Sequence, residues 1–198
     1  MAPVAVCLGC GSGEPPAVQK AAVAAVRPAP TVELRLVDHG EIEAERARHA
    51  GKVVVLDCWS TSCPPCVREF PRLVRLQERF GDQVACISLS FDYEGIGSPE
   101  DAVPRVSGFL EEVGAGGITN LMSREDADVV SRKMEIVSVP AVFVWNRDGS
   151  LAQRFDDEQS AKELGRAFTY DDVTAAVEAC LRSEEHTSEL QSPCNLVC

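Results

Sequence analysis

Residues 53–66 read Val53-Val54-Val55-Leu56-Asp57-Cys58-Trp59-Ser60-Thr61-Ser62-Cys63-Pro64-Pro65-Cys66. The apolar run at the start predicts a strand covered on both faces, and the proline pair predicts that a helix begins soon after it. Two cysteines separated by two residues on the first turn of a helix can bring their sulfur atoms within bonding distance. Unpaired backbone N–H groups at a helix start also stabilise a thiolate. The stretch therefore predicts a dithiol that cycles through a disulfide.

The two cysteines are expected to have different roles, because one lies closer to solvent than the other. We predict that Cys63, at the helix start, attacks a substrate disulfide as a thiolate. Cys66, one turn further in, would then attack the mixed disulfide and release the reduced product. Pro64 and Pro65 stiffen this turn at little cost, since backbone donors at a helix start lack partners.

A proton acceptor is required because Cys66 starts as a buried thiol. Asp57 is the first candidate: it lies in an otherwise apolar strand, where partial burial would raise its pKa towards neutral pH. Glu69 is the second, since it follows Cys66 by three residues and shares its helix face. Two alternatives stay open. Asp57 would instead accept a hydrogen bond from a loop, or Glu69 would be a solvated ion-pair partner of Arg72 or Arg68.

The hydrophobic pattern predicts strands and helices in alternation. Strands are predicted at 32–37, 52–59, 83–91, 139–145 and 150–155, with a short strand after the glycine-rich segment that begins at 114. Helices are predicted at 41–50, after Cys66 with a kink at Pro71, and at 99–113, 125–134 and 171–181. The segment Asn146-Arg147-Asp148-Gly149 joins the last two strands as a hairpin turn. This order predicts an α/β fold, with a central mixed sheet flanked by helices on both faces.

Composition limits the possible functions. The chain has 198 residues, of which 45% are hydrophobic, enough for the core of one globular domain. Acidic residues outnumber basic ones by 31 to 19, so the net charge of -12 would repel nucleic acid and anionic lipid headgroups. No apolar stretch approaches the roughly 18 to 20 residues of a membrane-spanning helix, so we expect a soluble monomer with any membrane attachment through an anchor.

The N-terminal segment resembles the end of a bacterial lipoprotein signal peptide. Residues 6–13 read Val6-Cys7-Leu8-Gly9-Cys10-Gly11-Ser12-Gly13, and Cys10 would be the lipid acceptor. Only nine residues precede Cys10 and none is Lys or Arg, whereas a signal peptide has a basic start and about 7 to 15 apolar residues. We interpret residues 1–10 as a truncated leader and 11–31 as a spacer rich in proline, glycine and alanine; a cytosolic N-terminus is the alternative.

The C-terminal segment resembles the conceptual translation of a widely used sequencing adapter over Arg182-Ser183-Glu184-Glu185-His186-Thr187-Ser188-Glu189-Leu190-Gln191-Ser192. We therefore expect residues 182–198 to be read-through and assign them no function. The predicted domain spans residues 32–181.

A Cys-x-x-Cys pair can also be half of a zinc site, which needs four ligands and usually two close pairs. Cys7 and Cys10 form a second pair with the same spacing, but they lie in the leader-like segment. His39 and His49 lack a recognisable ligand spacing. We therefore expect no metal, and no organic cofactor either, because no glycine-rich phosphate loop occurs between a strand and a helix.

Residues 57–66, followed by Glu69-Phe70-Pro71, resemble the thioredoxin-like superfamily, and within it the TlpA/ResA-like thiol-disulfide oxidoreductases of the bacterial envelope. The resemblance covers roughly residues 32–181. It implies that Asp57 is the buried acid of the fold, that Glu69 is an active-site glutamate, and that the Val139-Pro140 bond is cis. A cis bond there would leave the backbone of Val139 free to pair with an extended substrate.

The resemblance implies reduction of protein disulfides in the cell envelope, with electrons supplied by a membrane donor. We assign Trp59, Pro64, Val139 and Pro140 to the substrate-binding surface, with Trp59 covering the active site. A peroxiredoxin-type peroxidase is one alternative, although Leu56 stands where such enzymes carry a proline. A metal-binding or non-catalytic module is the other.

The remaining cysteines of the predicted domain, Cys58, Cys86 and Cys180, lie at apolar positions and are expected to be inert core thiols. Cys58 departs from the family pattern, because its position is commonly aromatic.

Overall fold

The computed structural model describes residues 31–190. Its six strands are β1 (Leu34–Val37), β2 (Val53–Trp59), β3 (Val84–Ser90), β4 (Thr119–Ser123), β5 (Ala141–Trp145) and β6 (Leu151–Phe155). Its seven α-helices are α1 (His39–Arg48), α2 (Pro64–Glu69), α3 (Pro71–Phe80), α4 (Val103–Glu112), α5 (Ala127–Lys133), α6 (Asp157–Glu163) and α7 (Tyr170–Leu190). The predicted leader, nearly all of the spacer and residues 191–198 lie outside this range.

One six-stranded sheet has the order β1-β4-β3-β2-β5-β6. The pairs β1/β4, β4/β3 and β3/β2 are parallel, whereas β2/β5 and β5/β6 are antiparallel. The sheet is therefore mixed, as predicted. Strand β2 is buried along its whole length at the centre of the sheet, which explains its continuous apolar run.

Helices cover both faces of the sheet. One core layer packs α3, α4 and α7 against the face formed by Val53, Val55 and Trp59 of β2. The other layer packs α1 and α5 against the face formed by Val54, Leu56 and Cys58. Because side chains alternate along a strand, Asp57 faces the first layer, which also contains Cys66. Among the described residues, none of the helices combines the length and apolar character needed to cross a membrane.

The helix after the motif breaks where Pro71 was predicted to kink it. Helix α2 ends at Glu69 and α3 begins at Pro71, with Phe70 between them. Pro71 has no N–H to donate to the carbonyl four residues earlier, so the regular hydrogen-bond series is interrupted. Both Phe70 and Leu73 are fully buried, so the break keeps the apolar face of the helix on the core.

Apart from shifts of one or two residues at the ends of elements, the structure differs from the sequence-based elements in three places. The predicted helix at 99–113 is a short 3-10 helix, Pro99–Ala102, followed by α4. Helix α6 was missed; the Asp156 side chain caps it by accepting a hydrogen bond from Gln159 N at 2.7 Å. Helix α7 begins one residue earlier than predicted and continues through 182–190, into the segment that we set apart as a tail.

Candidate active site

Cys63 and Cys66 form a disulfide with an S–S distance of 2.04 Å and a Cα–Cα distance of 5.3 Å. Cys63 is the N-cap residue of α2, and its Sγ lies 3.2 Å from the backbone nitrogen of Cys66. Cys63 is half-buried, whereas Cys66 is only 4% exposed. This difference in access is the one on which we based the order of attack. The prolines between them are exposed and occupy the first turn of α2.

The Val139-Pro140 peptide bond is cis, as the resemblance implied. The carbonyl oxygen of Val139 lies 3.7 Å from Cys63 Sγ, so the loop before β5 borders the more accessible sulfur. Val139 and Pro140 are half-buried, and Val137, two residues earlier, is 86% exposed. The sequence prediction thus placed these residues correctly beside the disulfide; their contact with substrate stays a prediction.

Asp57 is buried beneath the motif and receives a hydrogen bond from the phenol of Tyr170, with 2.5 Å between Tyr170 Oη and Asp57 Oδ2. Burial raises the pKa of Asp57 from 3.8 to about 7, although the Tyr170 hydrogen bond acts in the opposite direction. Burial, together with the neighbouring charge of Asp57, holds the pKa of Tyr170 well above its ordinary value. Asp57 can therefore exchange a proton near neutral pH while Tyr170 remains a donor.

Glu69 lies on α2 at the position that we predicted, but its neighbours are arginines. Its Oε2 is 3.5 Å from Arg72 Nε, and its Oε1 is 3.9 Å from Arg68 Nε. The side chain is one-third exposed. These contacts match the ion-pair alternative, and a role for Glu69 as a base stays a prediction.

The expectation that Trp59 covers the active site and contacts substrate is wrong. Its indole is fully buried and packs against Phe70 and Phe109, with ring centroids 4.6 Å and 4.9 Å away. Strand alternation explains the error, because Trp59 shares the covered face of Val53 and Val55. Trp59 is therefore a core residue that packs against the helices covering this face of the sheet. Pro64, the other substrate contact predicted from this segment, is exposed.

Asp92, which the sequence analysis did not select, anchors the segment just before Cys63. Its buried carboxylate accepts hydrogen bonds from the backbone N–H and the hydroxyl of Thr61, and from Ser90 Oγ at 2.6 Å. Arg105 of α4 donates to the same carboxylate at 3.1 Å and to Thr61 Oγ1 at 2.9 Å. An aspartate directly after the predicted strand 83–91 was the only sequence signal for this network.

The other cysteines of the domain behave as core residues. Cys58 and Cys86 are free thiols, and all three, with Cys180, are buried. Burial raises the pKa of both Cys58 and Cys86 far above the ordinary value, so both stay protonated and poorly nucleophilic.

The possibility of a metal site and the predicted lipid anchor depend on the N-terminal cysteines. Cys7 and Cys10 lie outside the described residues. Within residues 31–190, no group of three or more His, Cys, Asp or Glu side chains is placed to hold a metal ion.

Comparison with known proteins places this site in context. Residues 26–154 match the AhpC/TSA family. Thioredoxin-like protein YneN of Bacillus subtilis is 22% identical over 121 residues, which cover 61% of this chain and 66% of YneN, just under two thirds of its length.

Two solved structures share the fold. One is a secreted disulfide oxidoreductase of Mycobacterium tuberculosis, homologous to Escherichia coli DsbE; it is 20% identical, with 67% of this chain and 85% of that chain covered and a TM-score of 0.51. The other is a thiol:disulfide interchange protein of the thioredoxin family from Chlorobium tepidum; it is 18% identical, with 68% and 83% covered and a TM-score of 0.51. The prediction of a thioredoxin-like fold is confirmed.

Proposed function

The chain belongs to the AhpC/TSA family, and on that premise we propose that it is a thiol-disulfide oxidoreductase that reduces protein disulfides in the cell envelope through a Cys63/Cys66 cycle. The observation that carries the proposal is a disulfide at a helix start between a half-buried cysteine, Cys63, and a buried one, Cys66. Exchange with a large substrate needs one accessible sulfur, and release of the product needs a second, shielded one.

The cycle begins with the reduced dithiol. The Cys63 thiolate attacks one sulfur of a substrate disulfide, which forms a mixed disulfide and expels the other substrate sulfur as a thiolate. Cys66 then gives its proton to Asp57 and attacks Cys63 Sγ. The Cys63–Cys66 bond forms, the bond to substrate breaks, and two electrons have passed to the substrate.

Two features of the site support this sequence of steps. The N–H of Cys66 points at Cys63 Sγ, and a hydrogen bond to sulfur favours the thiolate over the thiol. Asp57, whose pKa is about 7, is in its ionised form for a substantial part of the time at neutral pH and can accept the proton. Glu69 is the second candidate for the base, and the variant Glu69→Gln tests that role.

Docking of an extended polypeptide beside Cys63 follows from the loop before β5. The carbonyl oxygen of Val139 lies 3.7 Å from Cys63 Sγ, and Pro140 and Pro64 are the residues that follow these two in the chain. The backbone of Val139, which precedes β5, would form main-chain hydrogen bonds with the extended substrate chain. Recognition would then depend on main-chain hydrogen bonds, which suits a protein that reduces many substrates.

The envelope location and the TlpA/ResA-like subtype are part of the proposal. They rest on the motif Trp59-Ser60-Thr61-Ser62-Cys63-Pro64-Pro65-Cys66 with Glu69, and on the leader-like residues around Cys10. The description of one structural relative as secreted agrees with that location. A membrane-bound dithiol donor would return electrons to the Cys63–Cys66 disulfide, and Cys10 would tether the protein beside it.

Turnover of insulin disulfides with dithiothreitol as the electron source tests the proposed activity. We expect Cys63→Ser and Cys66→Ser to lose it and Cys86→Ser to keep it, since Cys86 is a buried thiol in the same core layer. Activity that survives in Cys63→Ser would contradict the proposal. Peroxide consumption by Cys66→Ser would point to the peroxidase instead.

The reduction potential of the Cys63/Cys66 pair tests the direction of electron flow. A value well below about -200 mV is expected for a reductase, whereas a value near -120 mV would identify an oxidant. Equilibration of the purified protein with glutathione or dithiothreitol, followed by alkylation and mass measurement, gives this potential.

A further inference from the structure

A phenol and a carboxyl group meet beneath the active-site disulfide although they are 113 residues apart in the sequence. Tyr170 is the first residue of α7, and Asp57 lies in the central strand β2. Their side chains are 2.5 Å apart, and both residues are at least 96% buried. Among residues 31–190, Tyr170 supplies the side-chain hydrogen bond that Asp57 receives.

The other titratable groups around this pair come from several elements. Burial, together with the charge of ionised Asp57, raises the pKa of Cys86 of β3 and of Cys58 of β2, so both thiols are neutral. The charge of Glu69 of α2 also helps to raise the pKa of the Tyr170 phenol. Cys66 belongs to the same buried layer as the pair.

Arg154 of β6 lowers the pKa of Cys58, which lies on the opposite face of the sheet. Arg154 itself is held by Asp156, with 2.5 Å between Arg154 Nε and an oxygen of Asp156. Arg72 and Arg75 of α3 line a surface cavity together with Tyr170, and Arg72 is paired there with Glu69 and Asp171. The charged form of Asp57 therefore depends on a neutral donor, the Tyr170 hydroxyl, for its hydrogen-bond stabilisation.

We propose that Tyr170 is a positioning residue for the resolving step: it holds Asp57 by Oδ2 and sets the pH at which that carboxylate accepts the proton of Cys66. The inference rests on the proposed function. In this step the Cys66 S–H bond breaks and its proton goes to Asp57. A Cys66–Cys63 bond then forms, the mixed disulfide breaks, and the electron pair leaves with the substrate sulfur. Tyr170 keeps its own proton throughout.

The direction of the effect follows from the hydrogen bond. A donor to a carboxylate stabilises the ionised form, so Tyr170 lowers the pKa of Asp57 below the value that burial alone would impose. Without that donor, Asp57 would remain protonated to higher pH, and a protonated carboxyl cannot take a proton from Cys66. Removal of the hydroxyl should therefore shift the resolving step towards alkaline pH and leave its high-pH plateau unchanged.

The experiment measures the rate at which Cys66 resolves a mixed disulfide, as a function of pH, in Tyr170→Phe and in the parent. Tyr93→Phe is the matched control, because Tyr93 is the only other tyrosine of the chain and its hydroxyl lies 3.5 Å from the Gly97 carbonyl oxygen, whereas the Tyr170 hydroxyl is bonded to Asp57. We expect an alkaline shift of about one pH unit in Tyr170→Phe, which is about a tenfold slower rate below the pKa. Tyr93→Phe should show no shift.

The same change made in an Asp57→Asn background decides whether Tyr170 acts through Asp57. With the carboxylate absent, loss of the phenol hydroxyl should produce no further shift. An unshifted profile in Tyr170→Phe, or an equal shift in the Asp57→Asn background, overturns the role of Tyr170. A parent protein that reduces no disulfide at any pH instead overturns the proposed function.

A second substitution covers the case in which Tyr170→Phe does not fold. Uniform replacement of tyrosine by 3-fluorotyrosine in the Tyr93→Phe protein places one fluorinated phenol at position 170, and it keeps the hydroxyl and the ring. Fluorine makes the phenol a stronger donor, so the profile should move towards acid pH, opposite to the first variant. A profile that stays in place or moves to alkaline pH contradicts the proposal.

Discussion

Two buried aspartates support the active-site segment from neighbouring strands, and their surroundings are opposite. Asp57 of β2 receives its side-chain hydrogen bond from one neutral phenol, that of Tyr170. Asp92, just beyond β3, receives hydrogen bonds from Thr61, Ser90 and the guanidinium of Arg105. Both carboxyl groups are buried, but of the two only Asp92 is bonded to a cation and to several hydrogen-bond donors.

The comparison shows how one side-chain type can perform two functions. A buried carboxylate with one neutral donor has a raised pKa, about 7 for Asp57, so it can gain or lose a proton at the pH of the reaction. A carboxylate that is surrounded by donors and paired with Arg105 is suited to hold a loop in place. Asp57 is thus the exchangeable group, and Asp92 is the fixed anchor.

The largest expected effect is on stability and is specific to Asp57. Its pKa rises from 3.8 to about 7 on folding, so the ionised carboxylate destabilises the native state. This loss of folding free energy is absent below about pH 4, where the carboxyl group is protonated in both states, and is complete above about pH 7. We predict that Asp57→Asn is more stable than the parent by about 4 kcal/mol near pH 8 and by much less near pH 5. Urea unfolding of the oxidised proteins at both pH values measures the difference.

Loss of activity should accompany that gain in stability. A general base contributes about 100-fold or more, so Asp57→Asn should reduce insulin-disulfide turnover by about that factor at neutral pH. We expect the stability gain of Asp57→Asn over the parent to be larger near pH 8 than near pH 5. An equal gain at the two pH values would show that Asp57 does not exchange a proton in this range.

The second prediction concerns the anchor. In Asp92→Asn the amide group would face the donors of Thr61 and Arg105, and a buried charge-assisted network would be broken. We predict a loss of about 2 kcal/mol in the free energy of unfolding, because Arg105 is more than half exposed and solvent screens part of the ion pair.

A smaller effect is expected at the residue that joins the anchor to the motif. Thr61→Val keeps the shape of the side chain but removes the hydroxyl that donates to Asp92 and accepts from Arg105. We predict a loss of about 1 kcal/mol, measured by urea unfolding, and slower turnover because the segment before Cys63 is less firmly held. Thr61→Ser, which keeps the hydroxyl, should restore most of both; equal losses in the two variants would contradict the network.

The smallest effect is expected at Glu69. Its size decides whether Glu69 is a base or an ion-pair partner of Arg68 and Arg72, which the sequence left open. Its partners Arg68 and Arg72 are partly exposed, and such surface ion pairs contribute about 1 kcal/mol or less. We predict that Glu69→Gln changes insulin-disulfide turnover by less than about threefold, a loss far smaller than that of a general base. A loss as large as that of Asp57→Asn would assign the proton to Glu69.

The features that the sequence predicted correctly depend on local residue types. The disulfide follows from the spacing of Cys63 and Cys66, and the break in the helix follows from the missing N–H of Pro71. The burial of Asp57 follows from its place in an apolar run. The cis bond before Pro140 came from the resemblance rather than from any local rule.

The features that the sequence missed depend on contacts between distant segments. Tyr170 meets Asp57 across 113 residues, and Asp92 meets Thr61 across 31, so neither contact leaves a periodic or spaced pattern to detect. Trp59 was misassigned because its neighbours in sequence are the reactive thiols, whereas its neighbours in space are Phe70 and Phe109. Strand alternation alone would have placed it in the core.

The most direct test of the central claim is to trap the mixed disulfide. Cys66→Ser, reduced and then mixed with insulin, should form a covalent adduct whose peptide mass places the substrate on Cys63. The Cys63→Ser variant should form none within residues 31–190, because its remaining thiols there are buried. An adduct on any other cysteine of that range, or no adduct on Cys63 at neutral pH, would contradict the account.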